Sequence, residues 1–165
     1  MPELLRLEHF GFTYPQQPCP ALADVSLTVR QGEFWVLCGA SGCGKTTLLR
    51  QLKPALRPHG AAEGRILFDG QPLDDLPPHR QAADIGFVLQ SPEEQTVTDK
   101  VWHELAFGLE SLGCDTPSIR RRVAEMASFF GIQDWFHRKV DELSGGQKQL
   151  LALASVMVLQ PRLLI

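Results

Sequence analysis

The chain has 165 residues, of which 44% are hydrophobic, and a formal net charge of -3. This length suits one globular domain with a core and is short for two. The weak acidic balance disfavours nucleic acid and anionic membrane surfaces as partners. The longest apolar stretch, residues 150–159, is well short of the ~20 residues that span a bilayer, and the N-terminus lacks a signal-peptide pattern, so a cytosolic location is expected.

Two β-like stretches begin the chain, at residues 4–12 and 21–29. They flank a proline-rich connection at 15–20 that cannot be helical, and this arrangement predicts an antiparallel pair. After a turn at Gln31-Gly32, the apolar run at 34–38 predicts a buried strand.

That predicted strand leads directly into Gly39-Ala40-Ser41-Gly42-Cys43-Gly44-Lys45-Thr46, which fits the pattern G-x-x-x-x-G-K-[ST]. In such a loop, glycines let backbone N–H groups converge on phosphate oxygens. A helix predicted over 45–52, ended by Pro54, adds its dipole to the bound anion. The motif predicts nucleotide binding, with Lys45 bridging the β- and γ-phosphates, Thr46 ligating Mg²⁺ and Thr47 near the α-phosphate.

The next elements are strands and then helices. Residues 64–68 with Asp69-Gly70 predict a strand and tight turn, and 85–89 predict a short buried strand that ends at Gln90. Apolar residues then recur at helical spacing, and Thr116 and Pro117 are predicted to be the N-cap and the first turn of a second helix. The apolar residues at helical spacing are Val101, Leu105, Leu109 and Leu112.

A second motif, Leu143-Ser144-Gly145-Gly146-Gln147, stands at the start of a long apolar helix predicted over 145–159. Ser144 can offer its hydroxyl, and Gly145 and Gly146 expose backbone N–H groups at the positive end of that helix. Such a helix start can bind the γ-phosphate side of a nucleotide without steric obstruction.

Together the two motifs resemble the nucleotide-binding domain of ABC (ATP-binding cassette) proteins. The resemblance implies an α/β fold: a P-loop NTPase core with an N-terminal antiparallel β subdomain and an inserted helical subdomain at 95–141, its C-terminal part missing. Residues 1–165 would then form one incomplete ATP-binding domain.

The same resemblance assigns roles to further residues. It implies that Tyr14 stacks on adenine, and that Gln90 touches Mg²⁺ and the attacking water. It also implies that the signature, residues 143–147, acts in trans, so that two chains or two related domains enclose two ATP molecules with Mg²⁺.

A finer resemblance comes from Gln90-Ser91-Pro92-Glu93-Glu94-Gln95 followed by Glu104-Leu105-Ala106-Phe107-Gly108. This segment looks like the ATPase subunits of energy-coupling-factor importers, the cobalt and vitamin group. The likeness implies an ATPase that powers transport of a small solute, peripheral on the inner face of the cell membrane. Its partners would be a second ABC ATPase subunit, in a homo- or heterodimer, and membrane-embedded subunits that contact the segment after Gln90.

In this family the strand that begins at Leu163 leads to an aspartate for Mg²⁺ and a glutamate that acts as general base. Neither lies within residues 1–165, and Asp141 and Glu142 are no substitutes because they precede the signature helix. The chain is therefore expected to be truncated and inactive in ATP hydrolysis by itself. Two alternatives stay open: a non-hydrolysing module that binds ATP or a partner, and a soluble ABC ATPase outside transport.

Overall fold

The computed structural model of the protein describes residues 2–165. The chain divides into two compact units, one up to residue 81 and one over residues 82–165. Each unit has its own sheet and its own buried side chains.

The first unit is built on a four-stranded antiparallel sheet with the order β2-β1-β3-β4. Its strands are β1 (Glu3–Thr13), β2 (Leu22–Arg30), β3 (Ala61–Phe68) and β4 (Gln71–Pro72). In the register, Leu5 of β1 lies opposite Val29 on one side and Phe68 on the other. The predicted antiparallel pairing of the first two strands is confirmed.

The hairpin between β3 and β4 turns at Asp69 and Gly70, whose φ angles are 54° and 76°. Positive φ at both central residues defines a type I′ turn, whose twist matches that of the flanking strands. The predicted tight turn is therefore confirmed. A bulge in β1 between Glu8 and Gly11 shifts the pairing with β3.

The helix α1 (Lys45–Gln51) follows the glycine-rich loop and ends close to the predicted position. Pro54 begins a short 3₁₀ turn after it, because proline cannot continue an α-helix. Leu48, in α1, and Leu52, which follows it, are buried.

Residues 34–38 differ from the prediction of a buried strand. They are not assigned to any strand, and Phe34 and Val36 are 92% and 70% exposed. Within residues 2–165, their backbone makes no hydrogen bond to another backbone group. An apolar run becomes a buried strand only where a neighbouring strand pairs with it, and the described residues supply none here.

The second unit contains a two-stranded parallel sheet of β5 (Ile85–Gly86) and β6 (Leu163–Leu164). The helix α2 (Pro78–Asp84) precedes β5 and contains the boundary between the units. Val88 N–H donates to the Ile165 carbonyl at 2.7 Å, and Ile165 N–H donates to the Gly86 carbonyl at 2.9 Å. The strand is shorter than the predicted 85–89, yet its pairing continues to Val88.

Four helices complete the second unit: α3 (Pro92–Gln95), α4 (Val101–Ser111), α5 (Thr116–Phe130) and α6 (Gly145–Met157). The core between them includes Val101, Leu105 and Leu109, all fully buried, which confirms the helical spacing read from the sequence. The boundaries 95–141 for a separate helical subdomain stay a prediction.

The start of α5 differs by one residue from the prediction. Asp115 is the N-cap, and its carboxylate accepts a hydrogen bond from Ser118 N–H at 3.0 Å. Thr116 instead takes the first helical position, because aspartate is among the strongest N-cap residues. Hydrogen bonding from the Ser118 side chain, together with that from Ser118 N–H, holds the pKa of Asp115 below its usual value.

Candidate nucleotide-binding site

The phosphate loop, residues 39–46, is an irregular segment that leads into α1. Gly42 and Gly44 have φ angles of 82° and 92°, a conformation that glycine adopts far more readily than other residues. A Cβ at Gly44 would lie 2.7 Å from the Ala21 carbonyl, whereas a Cβ at Gly42 would meet nothing within 4 Å. Packing against Ala21 therefore explains why residue 44 is a glycine. At Gly42 the space beside the backbone is empty, so the loop backbone is accessible there.

Backbone hydrogen bonding within this loop is sparse. Among residues 39–44, the one N–H that donates to a backbone carbonyl in the described part of the chain is that of Cys43, to Ala40 at 3.4 Å. Residues 39–43 are exposed. The remaining N–H groups are free to donate to an anion, which is the property that the sequence motif predicts.

Lys45 lies across the loop that it follows. Its ammonium donates to the carbonyls of Gly39 at 2.8 Å and Ala40 at 2.7 Å, and lies 3.6 Å from Cys43 Sγ. A lysine ammonium has three donors, so a phosphate oxygen that reaches Lys45 must replace one of these contacts.

Tyr14 and Thr47 are brought together by the fold. The Tyr14 hydroxyl and Thr47 Oγ1 are 2.9 Å apart, and the Tyr14 ring packs edge-on against Phe12 with ring centroids 4.9 Å apart. The structure therefore places Tyr14 beside the residue that follows the phosphate loop. Its stacking on adenine stays a prediction.

A cavity of 430 Å³ lies on β1 and β2 and is lined by residues 6–9 and 26–28, which do not include the phosphate loop. A site that uses backbone N–H groups and one lysine needs no deep pocket, so the geometry of the loop is the better guide here.

The signature, residues 143–147, forms the start of α6. Ser144 is the N-cap, and a capping box joins Ser144 N–H to Gln147 Oε1 at 2.8 Å and Gln147 N–H to Ser144 Oγ at 3.4 Å. Leu143 is buried in the core of the second unit. A Cβ at Gly145 or Gly146 would meet nothing within 4 Å, so packing does not require either glycine.

Gln90 is exposed and lies four residues after the end of β5, two residues beyond Val88, which still pairs with Ile165. The side chain of Gln95, five residues on, accepts from Leu89 N–H at 2.9 Å and donates to the Ala152 carbonyl of α6 at 2.9 Å. Gln95 belongs to a motif read from the sequence, but this contact is not predictable from that motif. The spacing in the motif marks the residue, and nothing in it indicates Ala152 as the partner.

A groove of 240 Å³ lies next to this segment and is lined in part by Val97, Thr98 and Lys148. Glu104, buried in α4, shapes one wall through a single oxygen, Oε2. That oxygen accepts from Val97 N–H at 3.1 Å, Thr98 N–H at 2.8 Å and Thr98 Oγ1 at 3.0 Å. This role of Glu104 is not predictable from the sequence, because a carboxylate within an apolar helical pattern does not indicate which N–H or O–H groups it accepts from.

The predicted site residues thus fall into two groups. Tyr14 and residues 39–47 belong to the first unit, and Gln90 and the signature belong to the second. Asp141 and Glu142 lie in a 3₁₀ turn before α6, where Glu142 Oε2 accepts from Lys139 N–H at 3.4 Å. Within residues 2–165, no group of three or more His, Cys, Asp or Glu side chains could hold a metal ion.

Known proteins resemble nearly the whole chain. A Bacillus cereus protein provisionally named as an ABC transporter ATP-binding protein is 47% identical over 159 residues, covering 96% of this chain and 29% of that protein. The energy-coupling factor transporter ATP-binding protein EcfA of Syntrophomonas wolfei is 34% identical, covering 98% and 59%. The chain thus spans between about a third and three fifths of the length of these relatives.

Solved structures agree with this resemblance. A structure of cbiO1 from Clostridium perfringens, described as part of the ABC transporter complex cbiONQ, matches with a TM-score of 0.86 at 28% identity. The match covers 99% of this chain and 64% of that one. The α/β architecture with a P-loop core, an N-terminal antiparallel sheet and inserted helices is therefore that of ABC ATPase domains.

The model of the ABC transporter family matches residues 22–165, which include both the phosphate loop and the signature. The chain therefore belongs to the ABC transporter family and resembles its energy-coupling-factor ATPases.

Proposed function

We propose that this protein is the ATP-binding and ATP-hydrolysing subunit of an energy-coupling-factor type importer. It would bind Mg·ATP between two ATPase domains and power membrane transport of a small solute such as a vitamin or a metal ion. The observation that carries the proposal is the phosphate loop: apart from that of Cys43, its exposed backbone N–H groups donate to no backbone carbonyl, and Lys45 lies across it.

The residues present fit a nucleotide triphosphate. The open backbone at Gly42 can approach phosphate oxygens closely, and Lys45 can exchange a carbonyl contact for a terminal phosphate. Tyr14, held by Thr47, offers a flat aromatic face for a base, which stacks with little discrimination among bases.

Thr46 would offer its hydroxyl oxygen to Mg²⁺, a hard cation that prefers oxygen ligands, and the resemblance to ABC ATPases assigns Gln90 the role of an oxygen ligand as well. When bound, Mg²⁺ neutralises charge that develops on the phosphates during hydrolysis. Gln90, which is exposed and lies four residues after β5, would orient the attacking water.

The signature would receive the γ-phosphate of ATP held by the other ATPase domain. This is supported by its geometry: Ser144 caps α6, and the two glycines after it leave open space. Because each domain has one phosphate loop and one signature, two domains related by a two-fold axis would complete both sites.

The membrane partner is proposed to dock in the groove beside residues 93–98. The support is the exposed apolar side chain of Val97, which is 64% exposed on the wall that Glu104 holds. Within residues 2–165, no helix is long and apolar enough to cross a bilayer. From the likeness to the energy-coupling factor ATP-binding protein EcfA, we propose a peripheral position on the inner face of the membrane, reached through membrane-embedded subunits.

The experiment is calorimetric titration of Mg·ATP into the protein encoded by the complete gene. Lys45→Ala removes a charge-assisted contact worth roughly 1.5–3 kcal/mol, so ATP affinity should fall by one to two orders of magnitude. Lys139→Ala, which removes an exposed lysine from the other unit, is the matched control and should bind like the wild type.

The same preparation tests the shared site by sedimentation. Ser144→Arg should leave monomer binding of ATP intact and abolish the ATP-dependent dimer through bulk and charge. Equal ATP affinity for Lys45→Ala and wild type would refute the phosphate-loop assignment. An ATP-dependent dimer that persists in Ser144→Arg would refute the action of the signature in trans.

A further inference from the structure

The side chain of Gln95 joins two main-chain segments of the second unit. Its Oε1 accepts from Leu89 N–H at 2.9 Å, and its Nε2 donates to the Ala152 carbonyl at 2.9 Å. The amide orientation is determined by these partners, since a backbone N–H can only donate and a carbonyl can only accept. Both ends of the amide are thus engaged by groups 63 residues apart in sequence.

The two segments joined by Gln95 carry the functional residues of this unit. Leu89 immediately precedes Gln90, which is proposed to orient water and Mg²⁺. Ala152 lies in the middle of α6, the helix that starts at the signature. Because α6 is one continuous helix of 13 residues, a rigid displacement of its start would carry Ala152 with it.

Within residues 2–165, Leu89 N–H donates to Gln95 alone, whereas the Ala152 carbonyl has a second side-chain donor. Ser155 Oγ also donates to the Ala152 carbonyl, at 2.9 Å, from within the same helix. The Gln95 contact is therefore the one that connects this carbonyl to the Gln90 segment, whereas the Ser155 contact stays inside α6.

We propose that Gln95 is a positioning residue: through its two hydrogen bonds, the main chain next to Gln90 moves together with α6. A phosphate that engages the signature then sets the position of Gln90, so that water is oriented only when the shared site is closed. This inference rests on the proposed function, because it takes Gln90 and the signature as parts of an ATP site.

The test compares three variants of the protein encoded by the complete gene. Gln95→Leu removes both contacts. Gln95→Glu, measured at pH 8, keeps an acceptor for Leu89 N–H but presents a carboxylate oxygen to the Ala152 carbonyl, so it breaks only the α6 contact. Ser155→Ala is the matched control, since it removes a hydrogen bond from the same carbonyl without touching the Gln90 segment.

Three quantities are measured: ATP affinity by calorimetry, kcat for ATP hydrolysis, and amide hydrogen exchange at Leu89. Gln95→Leu should bind ATP with the affinity of the wild type, and its kcat should be about tenfold lower. The Leu89 amide hydrogen should exchange at least about tenfold faster in this variant. Gln95→Glu should lose kcat while Leu89 stays protected. Ser155→Ala should change none of the three.

The outcomes separate the two proposals. Wild-type protein that neither binds nor hydrolyses ATP would overturn the proposed function and this inference with it. Wild-type protein that does both, together with a kcat for Gln95→Leu within twofold of it, would overturn only the positioning role. A loss of kcat in Ser155→Ala equal to that in Gln95→Glu would also overturn it, because α6 integrity would then explain both.

Discussion

Glu104 offers a sharp test of how the groove wall is built. Three donors from Val97 and Thr98 converge on one carboxylate oxygen of this buried side chain, which is 5% exposed. Glu104→Ala removes all three contacts and leaves a cavity in α4. The residue is thus expected to stabilise the fold and to fix the backbone at 97–98.

The magnitude follows from the contacts. A hydrogen bond to a charged group contributes about 1.5–3 kcal/mol, but Val97 is largely exposed, so water replaces part of what is lost. We expect Glu104→Ala to lower the free energy of unfolding by about 2–4 kcal/mol. For a chain of this size that corresponds to a fall in Tm of about 5–15 °C.

Two further variants refine the measurement. Glu104→Gln keeps one acceptor oxygen without the charge, and should lie about midway between wild type and Glu104→Ala, since neutral hydrogen bonds are roughly half as strong. Glu110→Ala removes an exposed carboxylate from the same helix and should leave Tm within about 2 °C. Thermal unfolding followed by circular dichroism gives all three values. A Tm for Glu104→Ala equal to that of Glu110→Ala would show that the three hydrogen bonds contribute nothing.

The remaining predictions concern the α5 cap and a glycine of the sheet. The pKa of Asp115 is lowered in the folded state, so its cap is present above its unfolded pKa of about 4 and is lost as the pH falls through the folded value. Asp115→Ala should therefore lower Tm at pH 7, and the gap should close in a pH series taken well below 4; a gap that is constant down to pH 2 would contradict this. Gly64→Ala places a Cβ 2.3 Å from the His9 carbonyl at a φ of 72°, while Gly70→Ala meets nothing at a φ of 76°. Gly64→Ala should cost at least about 2 kcal/mol more than Gly70→Ala in urea unfolding, and equal midpoints would refute the steric argument.

Local signals predicted the parts of this fold that depend on neighbouring residues. The hairpin at Asp69-Gly70, the buried face of α4 and the helix after Lys45 all follow from turn chemistry and periodicity. The cap of α5 was misplaced by one residue, because Asp115 and Thr116 both suit the N-cap and the pattern alone does not choose between them.

Features that depend on distant partners were not predictable in this way. The apolar run at 34–38 has the composition of a buried strand, but burial needs a neighbouring strand that composition does not supply. The contact from Gln95 to Ala152 spans 57 positions, and no periodicity indicates which carbonyl a glutamine will reach. The phosphate loop and the signature are predicted from the sequence because their residue spacing encodes backbone geometry directly.

The two glycines at the start of α6 carry a consequence for stability engineering. Both have helical backbone and open space around the absent Cβ, so alanine would fit at either position. Alanine also has the higher helix propensity, by up to about 1 kcal/mol per residue in a helix interior and less in the first turn. Substitutions of this kind are ordinarily among the simplest ways to stabilise a protein. A thermostability screen that ignores activity would therefore select against these glycines, and the chain keeps a weaker helix start in return for an unobstructed backbone.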